Sequence, residues 1–136
     1  LWSPALLSAV GSYPVGERES VLGVDYRIDA CFDLDDATKV LVKDERIVEI
    51  HKELEEYNAL DTGIFLITPA LIEALAAVNG PEGCSLSQGV AALASEGRMK
   101  AADVGDVTWI DVDTPEAHAE AERLIAELGD DLDGVR

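Results

Sequence analysis

Three hydroxyl–proline pairs, Ser3-Pro4, Thr68-Pro69 and Thr114-Pro115, set the outline of this chain. At a helix start a Ser or Thr oxygen can accept from an orphan amide, and the N–H that proline lacks is not needed at the next position. The first pair opens a short helix that stops around Gly11 and the Tyr13-Pro14-Val15-Gly16 turn. Behind the second, Leu71, Ile72, Leu75 and Val78 recur at helical spacing until Gly80-Pro81. The third opens a final helix from Pro115 to about Leu128. Ser85 and Gln88 have the spacing of a capping box ahead of Val90, Leu93 and a stop at Gly97.

Between these helices lie β-rich runs. Ser20 to Tyr26 reads as a buried strand carrying Asp25. Ala37 to Val42 and Arg46 to Ile50, separated by Lys43-Asp44-Glu45, read as a hairpin. After a polar connection from Leu54 to Asn58, Leu60 to Ile67 is a further apolar strand, interrupted by Asp61, Thr62 and Gly63. Strands alternating with helices around one antiparallel excursion predict an α/β fold, a mixed sheet with helices on both faces. No repeat or low-complexity tract divides residues 1–136, which read as one unit with an acidic tail over 129–136.

A chain of 136 residues with 48% hydrophobic content can bury a core. Its net charge of −18 argues against a nucleic-acid or anionic-membrane partner, because phosphate polyanions are repelled by such a field. Cys31 and Cys84 are too few and too far apart for a zinc site or a disulfide framework, and free thiols point to the cytoplasm. No stretch has the length and apolarity of a membrane-spanning helix.

Chemistry concentrates in the acids. Val107 to Val112 alternates apolar and polar residues as a half-buried strand does, so Asp111 and Asp113 are expected at its carboxyl end on one face. Ligands of open α/β sheets bind in the crevice beyond the strand ends, and Mg²⁺ is commonly held by one or two carboxylates plus phosphate oxygens. The plainer alternative is that both acids favour a turn and a helix N-terminus. Asp61, Thr62 and Gly63 interrupt an apolar strand; the polar pair needs partners, either a ligand hydroxyl or neighbouring backbone amides. Lys39 and Lys52 can supply point charges to phosphate, or can simply be solvated. His51 and His118 lack ligand spacing, and Asp33-Leu34-Asp35-Asp36 lacks the glycine and glutamate of an EF-hand loop. With no P-loop and no Gly-x-Gly-x-x-Gly, nothing here cradles a nucleoside triphosphate unaided.

Val24-Asp25-Tyr26-Arg27-Ile28-Asp29, Phe32-Asp33-Leu34-Asp35-Asp36-Ala37-Thr38-Lys39-Val40, Tyr57-Asn58-Ala59-Leu60-Asp61-Thr62-Gly63-Ile64-Phe65 and Trp109-Ile110-Asp111-Val112-Asp113-Thr114-Pro115-Glu116 together resemble the sugar-phosphate nucleotidylyltransferase superfamily. Within it they look most like the inositol-1-phosphate cytidylyltransferases. The resemblance implies the second half of a Rossmann-like nucleotidyltransferase fold. It also implies transfer of a nucleotidyl group, CMP from CTP, to a phosphorylated alcohol such as inositol 1-phosphate, with Mg²⁺ as cofactor and pyrophosphate released. By position, Asp111 and Asp113 would be metal ligands, and Lys52 the catalytic neutraliser of phosphate. Lys39, Asp61, Thr62 and Gly63 would bind the acceptor. Such chemistry needs positioning and charge neutralisation rather than a protein nucleophile. Where members often show Gly-Lys, this chain has His51-Lys52.

The family's glycine-rich nucleotide loop and first metal-binding aspartate belong to an N-terminal half that would precede Leu1. The resemblance therefore makes this chain the acceptor-binding, metal-ligand portion, inactive alone. Such a portion would leave a sheet edge without neighbours, which predicts self-association into a homo-oligomer. A membrane domain fused after Arg136 is another expected partner. The rival readings are a nucleotidylyltransferase for another sugar or polyol phosphate and a non-catalytic binding module built on the fold.

Overall fold

A computed structural model describes residues 1–129 of the chain, so the acidic tail expected over 129–136 lies almost wholly outside the described residues. In chain order the elements are α1 (Pro4–Gly11), β1 (Ser20–Asp25), a single 3₁₀ turn (Ile28–Ala30), β2 (Lys39–Lys43), β3 (Arg46–His51), β4 (Ala59–Leu66), α2 (Pro69–Val78), α3 (Leu86–Ser95), β5 (Met99–Asp103) and α4 (Pro115–Leu128).

The strands form a mixed sheet in the order β1-β4-β2-β3-β5, which closes because β5 lies parallel to β1 and meets β3 at the Arg46–Lys100 register. All other pairings are antiparallel. The open edge expected from the sequence is thus absent among the described strands. Its cover is β5, which was not foreseen: Lys100, Ala101 and Ala102 carry no β-branched side chain, so local propensity is silent where burial decides the conformation.

Helices cover both faces, as expected. Leu22, Val24, Val40, Ile47, Ile50 and Met99 pack with Leu71, Val90 and Leu93 of α2 and α3. On the opposite face Val21, Ala102 and Val104 pack with Leu6 and Val10 of α1. Gly23 is what lets α1 approach: a Cβ there would stand 2.6 Å from Val10 Cγ2 and 2.9 Å from Thr62 Oγ1. Ile110 joins Ala117 and Ala121 of α4 in a smaller third cluster. No helix among the described residues is long and apolar enough to cross a membrane. Cys31 and Cys84 are free.

The capping signals divide. Ser85 Oγ accepts from Gln88 N at 3.2 Å while Gln88 Oε1 accepts from Ser85 N at 2.7 Å, completing the expected box. Thr114 Oγ1 accepts from Ala117 N at 3.0 Å. Ser3 makes no side-chain cap, and Thr68 donates its hydroxyl to Glu19 O at 2.6 Å, tying the start of α2 to the start of β1.

The segment 107–112 departs from expectation: it is extended but is not a strand. Among the described residues its backbone pairs only with the first residues of the chain, through a Trp2–Trp109 bridge, reciprocal Leu1–Ile110 bonds of 2.8 and 2.9 Å, and Ser3 N to Thr108 O at 2.9 Å. Its alternation is real but serves two clusters, with Val107 and Trp109 turned to the α1 side and Ile110 to α4.

Candidate active site

The parallel strands β1 and β5 end together, Val24 opposite Asp103. The antiparallel strands bring Lys39 beside both His51 and Leu60, and Leu60 beside Asp25, at the same end of the sheet. The candidate acids and lysines therefore gather where sheet topology makes a crevice.

Asp25, the last residue of β1, is only 5% exposed and organises this end. Its Oδ1 accepts from Arg27 N at 2.8 Å and Arg27 Nε at 3.0 Å; its Oδ2 accepts from Arg27 Nη2 and Trp109 Nε1, each at 2.8 Å. Arg27 Nη2 also donates to Val107 O at 2.7 Å. Burial alone would push the Asp25 carboxyl up, but the Arg27 and Trp109 hydrogen bonds outweigh it and hold the pKa below the usual range. The sequence signal for this group was slight: a charge closing a buried run, with an arginine two residues on.

A cavity of about 280 Å³ opens beside it, walled by Arg27, the turn through Phe32 and Asp36, the segment through Asp111 and Asp113, and Glu120 and Arg123 of α4. Burial first, then the charges of Asp113 and Asp36, push the Asp111 carboxyl above its ordinary value, while the terminal amine works the other way. Lys52, just past β3, pairs with Asp36. That pairing is the main reason the Asp36 carboxyl titrates low. Lys39, nearly buried, donates from Nζ to Asp35 O at 3.3 Å.

Asp61 is half-buried and accepts from Gly63 N at 2.6 Å. Burial pushes its pKa from 3.8 up to about 6; the Gly63 bond opposes the rise and the charge of Asp111 adds to it. Gly63 supports this turn with φ +77, a left-handed value that a side chain resists. Thr62 lies elsewhere. Its side chain is buried toward α1, and its hydroxyl donates to Gly23 O at 2.7 Å. Of the residues singled out in the sequence, Lys39, Lys52, Asp61, Asp111 and Asp113 are gathered at this end of the sheet, and Thr62 satisfies backbone instead.

No group of three or more His, Cys, Asp or Glu residues among those described is placed to hold a metal ion by itself. Asp111 and Asp113 nevertheless fit a hard divalent cation. They offer only oxygen donors, and a cation would offset the burial and the neighbouring negative charges that raise Asp111.

This arrangement is the fold of the nucleotidyltransferases. The chain superposes on the structure of a putative glucose-1-phosphate thymidylyltransferase from Bacillus anthracis with a TM-score of 0.68 at 14% identity, covering 91% of this chain and 50% of that one. It superposes on the inositol-1-phosphate CTP transferase from T. maritima with a TM-score of 0.77 at 29% identity, covering 94% of this chain and 52% of that one. Among curated proteins, it is 36% identical over 110 residues to a bifunctional IPC transferase and DIPP synthase of Rubrobacter xylanophilus, covering 80% of this chain and 25% of that protein. The namesake from Thermococcus kodakarensis is 31% identical over 93 residues, covering 68% and 21%. No family model matches the chain. The chain is a partial match to the nucleotidyltransferase family, spanning about a quarter of the length of the curated relatives it matches.

Proposed function

We propose that this chain forms the acceptor-binding and metal-ligating part of a Mg²⁺-dependent nucleotidyltransferase that passes CMP from CTP to inositol 1-phosphate and releases pyrophosphate. The observation that carries the reading is the likeness of nearly the whole chain, 94% of it, to a protein named as an inositol-1-phosphate CTP transferase. The acids and lysines at the sheet end give that likeness a chemical basis.

Asp111 and Asp113 would hold the metal, which when bound supplies positive charge to the phosphates. The chain's own cations do related work. Lys52 leaves its Asp36 partner for a phosphate oxygen as a competing anion arrives, and Lys39, registered opposite His51, adds a second positive charge close by. The Asp61 carboxylate and the Gly63 backbone accept and orient acceptor hydroxyls. Thr62 contributes by bracing β4 on β1. Positioning and charge neutralisation lower the barrier, and no covalent protein intermediate is needed. Because the residues that cradle a triphosphate are missing from this sequence, the chain turns over only when a nucleotide-binding part accompanies it.

The test joins this chain to the remaining half of the T. maritima protein and measures pyrophosphate release. Four nucleoside triphosphates are crossed with inositol 1-phosphate and glucose 1-phosphate. The expected outcome is release with CTP and inositol 1-phosphate, abolished by chelation and reduced at least about 100-fold in Lys52→Ala, the size of loss seen when a positioned charge is removed. Preference for the hexose phosphate would overturn the inositol assignment.

A further inference from the structure

Asp111 and Asp113 sit on backbone that no sheet holds: residues 110–113 follow the Trp2–Trp109 bridge and precede the Thr114 cap. Backbone bonds to Leu1 and Ser3 hold the approach to them on one side, and the buried carboxylate at the end of β1 holds it on the other. Through Trp109 Nε1 and, by way of Arg27 Nη2, Val107 O, Asp25 holds two points of the segment that lie two and four residues before Asp111. The contacts run from the last residue of β1 and the turn just after it to a segment 84 and 80 positions later in the chain. Arg27 cannot do this alone, because its guanidinium is aimed by the bidentate pairing to Asp25. The carboxylate accepts four bonds from Arg27 and Trp109, which leaves it unfit to ligate an ion itself.

We propose that Asp25 is a positioning residue that sets the placement of Asp111 and Asp113 through Trp109 and Arg27. This rests on the reading of those two acids as the metal pair, and it predicts effects confined to one segment. Ligand-orienting groups behind a metal site commonly change metal affinity 10- to 100-fold when removed. A group that only stabilises the fold would instead loosen every element together.

The test uses the 136-residue chain in five forms: unmodified, Asp25→Asn, Trp109→Phe, Arg27→Lys and Asp111→Ala. Amide exchange followed by NMR reads the segment directly, and paramagnetic resonance of added Mn²⁺ reads the acids. In Asp25→Asn and Trp109→Phe, exchange at 109–113, read at the Ile110 amide that donates to Leu1 O, is expected to speed up about tenfold or more, with β4 amides changed less than about twofold. Mn²⁺ affinity should fall about tenfold or more. Arg27→Lys, which keeps the charge and loses the fork, should fall between the unmodified chain and Asp25→Asn. Exchange at 109–113 that stays at the unmodified rate in both variants, or that rises in step with β4, overturns the proposal. If Asp111→Ala binds Mn²⁺ as tightly as the unmodified chain, the metal reading fails. The positioning role is then judged by the exchange data alone, which do not depend on the ion.

Discussion

Asp61 shows how a single side chain at this site works against the stability of the fold. Its carboxyl titrates at about 6 instead of 3.8, chiefly because burial disfavours its charge. The sign follows from linkage. With the native pKa raised above the unfolded one, the native state binds more protons between those values, so stability is full below pH ~4 and declines as pH rises through ~6. Asn at this position keeps an oxygen for Gly63 N and carries no charge. Asp61→Asn should therefore be more stable than the parent at pH 7.5, by roughly 1–3 kcal/mol, and equal to it at pH 4. Urea titration at the two pH values checks this; a variant less stable at pH 7.5 would contradict it. Activity should fall in the same variant, since a neutral amide is a poorer acceptor for a ligand hydroxyl. Asp25 has the opposite sense: Arg27 and Trp109 hold it low, and what it contributes is lost as pH falls.

At the level of elements, the β2–β3 hairpin carries a removable cost. Asp44 and Glu45 take φ values of 52° and 60°, the left-handed conformation that a two-residue turn between twisted strands requires and that glycine or asparagine fills more easily. Glu45→Gly keeps the backbone carbonyl that accepts from Ala101 N at 2.9 Å and gives up a 3.3 Å exposed contact with Tyr13. It should stabilise the chain by about 1 kcal/mol, a rise of roughly 3–5 °C in Tm; thermal unfolding by circular dichroism reads the change, and a lower Tm would show that the Tyr13 contact outweighs the strain. The same hairpin was legible in the sequence because two β-rich runs, Ala37 to Val42 and Arg46 to Ile50, flank the short polar Lys43-Asp44-Glu45. The helices α2, α3 and α4 were legible from proline, hydroxyl and apolar spacing. What stayed hidden was non-local. Met99–Asp103 is a strand because β1 needs a neighbour there, a fact its alanines do not carry. Residues 107–112 have the alternation of a strand but, among the described residues, their backbone pairs only with Leu1–Ser3, and pattern cannot report whether a partner exists. Likewise the acids after Trp109 could be picked out from the sequence, whereas the role of Asp25 beneath them required the fold.

The molecule as a whole carries 28 acidic against 10 basic side chains. Ion pairs such as Arg123 with Glu120 and Glu127 are exposed, and salt weakens them. Repulsion among the surplus acids is weakened more, because the Debye length shrinks from about 30 Å at 0.01 M salt to about 8 Å at 0.15 M. The Tm should accordingly rise by about 3 °C or more across that range of NaCl, and scanning calorimetry decides the sign. A fall would mean that specific pairs dominate the net charge.

Closure of the sheet has a geometric consequence of its own. In an open ladder one strand can slip by a residue against a single neighbour and still keep most of its hydrogen bonds. In a ring, a slip at one seam must be repaid at every other seam, so alignment becomes a property of all five strands jointly. The pairing register shifts at two places, between Leu22 and Val24 and between Leu41 and Val42, where a bulge adds local bend and twist. Asp25, Lys39, His51 and Leu60 thus stand at stations along a closed loop, and the distances among them are as hard to alter as the circumference.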